Sequence, residues 1–395
     1  MNNDLPKGFR AGAAAANFRK PGRDDLGLIV SDRPCVLAGM FTQNLFKAAP
    51  VQVCQEILAS YGTARAVLAN AGQANACTGE EGLANCRETQ RMAAELTGLE
   101  AHEILPLSTG VIGPQLKMDL WRETLPTLVQ SLGSRDAEGF TRAFMTTDAF
   151  PKFASRELAL AGGTVRLTVM AKGAGMICPN MATMLCVALT DAAVERQQWQ
   201  AMFGRAVEQT FNRVSVDGDT STNDTILGLA NGASAVEASS PADLALLEDA
   251  LTAILAQVAH MLVKDGEGAK KVIHITVTGA PTEADARTAA RSVGHSQLVK
   301  TAIYGGDANW GRIITAVGYS GIRVDPAAVS LKLCGIERFR QGQPVNDHLE
   351  PELTEALKAD NIPVEICLGS GPGSYSFQAS DLGHEYVSLN ADYRS

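Results

Sequence analysis

The stretch Lys172-Gly173-Ala174-Gly175-Met176-Ile177-Cys178-Pro179-Asn180-Met181-Ala182-Thr183-Met184-Leu185 holds the residues whose types and spacing best suit chemistry. It sets two glycines, a proline and an asparagine between two strand-like runs, Thr164–Met170 and Thr183–Leu189. A connection so rich in glycine suits tight backbone geometry. A hydroxyl residue at the head of the second apolar run is a candidate nucleophile. Threonine is a weak nucleophile without a base, but an N-terminal threonine carries one, its own α-amine with a pKa of about 8. That amine is free only if the Ala182–Thr183 bond is cut. Attack of the Thr183 hydroxyl on the Ala182 carbonyl would shift amide to ester, and water would then release the amine. The same residues also make an ordinary glycine-rich turn between two core strands, and local features alone do not separate the two readings.

Other polar clusters stand at the ends of predicted strands. Ser108-Thr109-Gly110 offers a hydroxyl and backbone amides, the parts of an oxyanion hole. Thr146-Thr147-Asp148 and the run from Ser215 to Thr225 are rich in hydroxyls and carboxylates, Lys264-Asp265-Gly266-Glu267-Gly268 ends a long helix, and Gly305–Arg312 opens another element. Each of these is also a plain helix cap or Asx turn. Asp217, Asp219 and Asn223 lack the glutamate that completes an EF-hand, and no metal is expected there. The glycines of Gly369–Gly373 have neither the lysine nor the following helix of a phosphate loop.

The elements that must position these residues alternate along the chain. Strands are predicted at Ala64–Asn70 and Glu103–Leu107, and helices at Gly82–Thr97 and Asp119–Leu132. A further helix is expected from a cap at Asp191 to about Phe211, and another from Ser240-Pro241 to about Lys264. The last third changes character. Val272–Thr278 alternates Ile273, Ile275 and Val277 against His274, Thr276 and Thr278, as a half-exposed strand does. One helix is predicted from Glu283 to about Ile303, then short strands at Ser330–Leu333 and Val364–Leu368 and a last strand after Gly373. The pattern is α/β, with a C-terminal α+β part of about 120 residues.

The 395 residues exceed one small core, so two or three domains are expected. Hydrophobic residues at 46% and charged residues at 19% fit a globular protein, and a net charge of −9 argues against nucleic acid or anionic membrane as the main partner. No run is expected to reach membrane-span length. The alanine-rich Ala11–Ala16 is short for a signal peptide, so a cytoplasmic location is expected. The eight cysteines are scattered without a C-x-x-C pair or a histidine at ligand spacing, which points away from a zinc site.

Taken together, Lys172–Leu185, Ser215–Thr225, Asp265–Ala269, Gly306–Arg312 and the terminal Leu389-Asn390-Ala391-Asp392-Tyr393-Arg394-Ser395 resemble the ornithine acetyltransferase family, the glutamate N-acetyltransferases of arginine biosynthesis. Ala71–Gly79 and Ser108–Gly113 extend the likeness over nearly the whole chain. The resemblance implies a layered αββα sandwich of the N-terminal-nucleophile type over residues 1–275 and a smaller α+β domain over 276–395. It implies self-cleavage between Ala182 and Thr183, with chains 1–182 and 183–395 assembling as a heterotetramer of two of each. It further implies ping-pong acetyl transfer from N-acetylornithine to glutamate through acetyl-Thr183, with Thr109 and Gly110 on the oxyanion-hole positions. Thr146, Lys172, Thr183, Glu267, Asn390 and Ser395 fall on its substrate-binding positions. No cofactor is implied, with acetyl-CoA open as a further acetyl donor. Cys178, Lys270 and Ala308 depart from the family's usual residues, and none is the nucleophile or an oxyanion-hole residue. A self-processing amidase or aminopeptidase shares the nucleophile logic and is the alternative.

Overall fold

The computed structural model describes residues 4–19, 21–178, 184–345 and 350–392. Along the chain run β1 (Phe9–Ala14), β2 (Leu26–Phe41), α1 (Ala49–Ser60), β3 (Thr63–Gln73), α2 (Gly79–Thr97), β4 (Ile104–Val111), α3 (Met118–Gln130), α4 (Ala137–Phe144), β5 (Lys152–Leu160) and β6 (Gly163–Lys172). Then follow β7 (Leu185–Thr190), α5 (Arg196–Gln209), β8 (Val214–Ser215), β9 (Thr225–Ala230) and α6 (Pro241–Lys264). The last part holds β10 (Val272–Ala280), α7 (Glu283–His295), α8 (Gln297–Gly305), α9 (Trp310–Gly318), β11 (Ser330–Leu333), β12 (Ile336–Arg340), β13 (Gln343–Pro344), α10 (Glu350–Ala356), β14 (Asn361–Cys367), β15 (Gly373–Ser380) and α11 (His384–Asp392). The chain divides into two compact units. Met1–Asn212 and Asp219–Leu262 form the first; Arg213–Gly218 and Val263–Tyr393 form the second.

The first unit is built on one mixed sheet in the order β4-β3-β2-β9-β7-β6-β5, with β1 beside β2. β2 serves both halves: its residues 26–31 pair with β1, while residues 36–41 pair with β9. β7 and β9 are buried along their whole length, which is why their sequences read as continuous apolar runs rather than alternating ones. Helix α4 packs on β1, β2, β3, β5 and β6, and its Phe140 and Phe144 are fully buried. Asp136 starts that helix by accepting the Gly139 N–H at 2.9 Å. Two apolar clusters stand out among the described residues. One centres on α1, α4 and the middle strands; the other joins α2, α3 and the start of β2 around Trp121 and Leu125.

The second unit has its own seven-stranded sheet, β13-β12-β11-β14-β10-β15-β8. β10 shows the expected alternation, with Ile273, Ile275 and Val277 buried and Thr278 exposed. Its inward residues meet α7, whose Ala286, Ala289, Ala290 and Val293 form the small-residue face that lets helix and sheet approach closely. The α/β class expected from the sequence holds in both units, and mixed sheets carrying packed helices are consistent with αββα layering.

Four expectations change. Asp191 does not cap α5; Glu195 does, accepting from Gln197 and Gln198 N–H. Asp191 instead receives the Lys7 and Arg166 N–H groups, and the intervening Ala193 is held in a bridge to Glu237. The single helix expected from Glu283 to Ile303 is two, broken at Ser296, whose extended backbone leaves its hydroxyl free to accept from Val299 N–H and cap α8. The chain does not end on a strand, because α11 follows β15. Finally, α6 is long and apolar enough to cross a membrane, against the expectation that no run is. Leu247, Leu251, Leu255 and Val258 bury one side of it in the core.

Candidate active site

The site in the first unit begins where parallel β3 and β4 end together. Ala71 stands opposite Thr109 and Gly72 opposite Gly110. Gly110 has φ +133°, and a Cβ there would overlap the backbone of Gly72 and Gln73, so only glycine fits. The turn beyond is tied down by its backbone: Ala74 N–H donates to Val111 O at 3.1 Å and Gly113 N–H to Ala76 O at 3.0 Å. Buried Asn223 adds a second tether, its amide donating to Ala74 O at 2.6 Å and Ser108 O at 2.8 Å. The residue weighed for a metal is therefore a clamp on the Thr109–Gly110 turn. Among the described residues no group of three or more His, Cys, Asp or Glu is placed to hold a metal ion.

Lys172 ends β6 opposite Leu185, the first residue of antiparallel β7. Its side chain is 8% exposed. Its ammonium donates to Thr109 Oγ1 at 3.1 Å and to Thr146 Oγ1 at 2.9 Å. Three segments distant in sequence are thus gathered on one cation. Because Lys172 fills an acceptor position of each hydroxyl, the hydrogens of Thr109 and Thr146 are directed elsewhere. That leaves Thr109 poised as a donor.

Behind this lysine lies an ion pair between Asp148, marked in sequence within Thr146-Thr147-Asp148, and Lys152, which was not marked. Asp148 and Lys152 are both fully buried, with Nζ 2.7 Å from Oδ1. Asp148 also accepts the Gly173 N–H at 2.6 Å and the Thr146 N–H at 2.8 Å. Burial pushes its carboxyl upward, but Lys172, then Lys152 and the Gly173 amide outweigh that and hold it at about 2. Asp148 thereby joins the residue after Lys172 to the residue that Lys172 contacts. For Lys152 the signal is the spacing Asp-x-x-x-Lys, and in a strand entrance it resembles any surface pair.

The loop beyond Lys172 is described to Cys178. Met176 lies in the left-handed region at φ +55°, and Thr220 Oγ1 donates to Cys178 O at 2.9 Å. The predicted scissile residues Ala182 and Thr183, and the substrate-binding Ser395, lie outside the described residues. Buried Cys35 and Cys86 are pushed up to about 12 by loss of solvent, and Cys54 and Cys186 also rise on burial, so none of these four offers a thiolate near neutral pH.

Glu267 and Asn390 belong to the second unit and are brought together there. Asn390 on α11 donates to Glu267 Oε2 at 2.7 Å and to Tyr386 O at 3.0 Å. Glu267 sits in a turn closed by Ala269 N–H donating to Gly266 O at 2.8 Å. The Gly305–Arg312 cluster takes its capping reading: Asn309 starts α9 by accepting the Arg312 N–H at 3.2 Å.

The chain is similar to known proteins along nearly its whole length. The arginine biosynthesis bifunctional protein ArgJ of Nitratidesulfovibrio vulgaris is 59% identical over 390 residues, covering 99% of each chain. That of Geobacter sulfurreducens is 46% identical over 391 residues, covering 98% of this chain and 99% of its own. Among solved structures, the ornithine acetyltransferase of Mycobacterium tuberculosis complexed with ornithine is 36% identical, covering 46% of this chain and 95% of that one, with a TM-score of 0.41. The model of the ArgJ family matches residues 10–395. With that match and these identities along nearly its whole length, the chain belongs to the ArgJ family.

Proposed function

We propose that this protein transfers the acetyl group of N-acetylornithine to glutamate by a ping-pong route, after cutting itself between Ala182 and Thr183. Membership of the ArgJ family makes it an acetyl-transfer enzyme of arginine biosynthesis. The observation that carries the residue roles is the Lys172 ammonium held between the hydroxyls of Thr109 and Thr146. In the proposed first half-reaction, Thr183 Oγ attacks the acetyl carbonyl carbon while its α-amine takes the hydroxyl proton. The tetrahedral oxyanion is met by the Thr109 hydroxyl and the Gly110 N–H. Collapse breaks the C–N bond, and the Thr183 ammonium returns the proton to the departing ornithine nitrogen. Glutamate's amine then attacks acetyl-Thr183 by the same steps in reverse.

Both substrates carry an α-carboxylate, for which Lys172 is a suitable cation. Ornithine adds an ammonium, for which Glu267, with Asn390 as its hydrogen-bond partner, is the proposed counter-charge. Ser395 completes the proposed substrate-binding set. We further propose that chains 1–182 and 183–395 assemble as a heterotetramer in the cytoplasm, and that acetyl-CoA is the donor to test beside N-acetylornithine. A denaturing gel and a labelled-glutamate assay on wild type and Thr183→Ala test the reading together. Wild type should run as two fragments and yield N-acetylglutamate; the variant should stay a single 395-residue band and be inert. Wild-type transfer by Thr183→Ala, or release of acetate in place of N-acetylglutamate, would refute it.

A further inference from the structure

Between the two parts of the proposed catalytic machinery stands a residue that belongs to neither. Asn223 lies two residues before Thr225, where β9 begins. Thr225 pairs in parallel with Leu185, the first residue of β7, and its N–H donates to Met184 O at 3.0 Å. Met184 directly follows the proposed nucleophile Thr183 in the chain. The segment 222–225 thus runs beside the start of the nucleophile's strand, while the Asn223 side chain holds the turn that carries Thr109 and Gly110.

This post is fixed before it grips anything. Thr222 O accepts the Ala48 N–H at 2.9 Å and Asp224 O accepts the Thr42 N–H at 2.9 Å. Asn223 N–H donates to Ser221 Oγ at 3.1 Å, and Asn223 O accepts from Thr225 Oγ1 at 3.0 Å. On the side chain, Thr222 Oγ1 donates to Asn223 Oδ1 at 2.7 Å, which sets the oxygen at that end of the amide. Both hydrogens of Nδ2 are then used, on Ala74 O at 2.6 Å and Ser108 O at 2.8 Å. Ser108 precedes Thr109, and Ala74 N–H donates to Val111 O, so the two carbonyls hold the turn from the β3 side and the β4 side together. Among side chains of this size only asparagine offers two hydrogens beside an acceptor; leucine and ionised aspartate donate none.

We infer that Asn223 is a positioning residue of the acetyl-transfer reaction, fixing the oxyanion turn at Thr109 and Gly110 against the start of the nucleophile's strand. This rests on the acetyl-transfer reading of the site. Asn223 acts on reaction geometry, where a misplacement of about 1 Å costs about 10²-fold, and not on the substrate contacts proposed for Lys172, Thr146 and Glu267.

The test is single-turnover acetylation of Thr183 in the full chain for Asn223→Ala and Thr222→Val, each checked for folding by circular dichroism. Asn223→Ala should lower the rate at saturating N-acetylornithine by about 10² while the half-saturating concentration stays within about twofold. Thr222→Val keeps its shape and removes only the hydroxyl that orients the amide, so it should cost about fivefold, the worth of one neutral hydrogen bond. It carries the test where Asn223→Ala does not fold. Because Asn223 works through the oxyanion turn, Asn223→Ala should cost under about tenfold when added to Thr109→Val. A wild-type rate in the folded variants, a loss confined to the half-saturating concentration, or the full hundredfold loss repeated in the Thr109→Val background overturns the inference.

Hydrogen exchange followed by mass spectrometry reads the same clamp without turnover. In the folded variants, exchange over residues 108–113 should be faster than in wild type, with exchange over α4, Ala137–Phe144, unchanged. Unchanged exchange at the turn, or acceleration of both segments alike, would also overturn the inference. A wild type that transfers no acetyl group would instead overturn the acetyl-transfer reading, and exchange at the turn would still decide whether Asn223 fixes it.

Discussion

Lys172 Nζ donates to Thr109 Oγ1 across 3.1 Å, joining the end of β6 to the end of β4. The direction of that bond matters more than its length. Lysine has no lone pair to offer, so the Thr109 hydroxyl accepts from it and keeps its own hydrogen for another partner. An oxyanion forming at Thr183 is the partner that the proposed reaction supplies.

Thr109→Val keeps the shape of the side chain and removes the hydroxyl. We expect kcat to fall by about 10²–10³ with the melting temperature little changed, the usual effect of deleting one oxyanion donor. Thr109→Ser retains the donor and should stay within about tenfold of wild type. Single-turnover acetylation of Thr183 measures both. A Thr109→Val rate within a few-fold of wild type would remove Thr109 from the oxyanion hole.

Gly110→Ala should fail through the fold rather than through lost chemistry. Its φ of +133° disfavours any side chain, and the new Cβ would press on the backbone of Gly72 and Gln73, which cannot rotate away. A loss of about 3 kcal/mol is expected, from overpacking and backbone strain together. Urea unfolding gives the number, and little change in midpoint would count against the register of β3 and β4 at this turn.

Acid should weaken the first unit through Asp148. Its folded pKa of about 2 lies below the ordinary aspartate value near 3.9, so the folded state binds its proton less readily than the unfolded chain. The corresponding stability is full above about pH 4 and is lost as pH falls towards 2, on the order of 2 kcal/mol. Asp148→Asn should flatten that part of the profile. Thermal melts between pH 2 and 6 read the difference, and parallel curves for the two proteins would show that Asp148 contributes nothing to acid sensitivity.

Much of this was legible in the sequence, for physical reasons that differ by residue. The continuous apolar run of β7 and the alternation of β10 follow from burial on two faces and on one, so period identifies β10, and short length with a glycine-rich flank identifies β7. Ser240 and Asn309 announce helix starts through local chemistry. Asp191 misled because it has the same side chain as a cap while its carboxylate is occupied by Lys7 and Arg166 from distant segments. Asp148 and Asn223 could be named but not assigned their tasks, and Lys152 not named at all, because their partners lie 25 to 149 residues away or inside a core that only the fold creates. Polar residues whose partners are remote in sequence carry no periodic signal.

In the second unit, Glu267 is the residue expected to separate the two substrates. It is a half-buried carboxylate receiving the Asn390 amide at 2.7 Å, and one of its oxygens is thereby oriented. N-acetylornithine ends in an ammonium and glutamate in a carboxylate, so a negative charge near that end helps one and opposes the other. Glu267→Gln keeps the hydrogen-bonding shape and removes the charge. It should raise KM for N-acetylornithine by roughly fivefold while leaving KM for glutamate equal or lower, since an ion pair at a partly solvated site is worth about 1 kcal/mol. Steady-state kinetics with each substrate varied in turn separates the two effects. A Glu267→Gln variant that raises both KM values alike would mean that Glu267 supports the site without sensing the charge of the substrate's side chain.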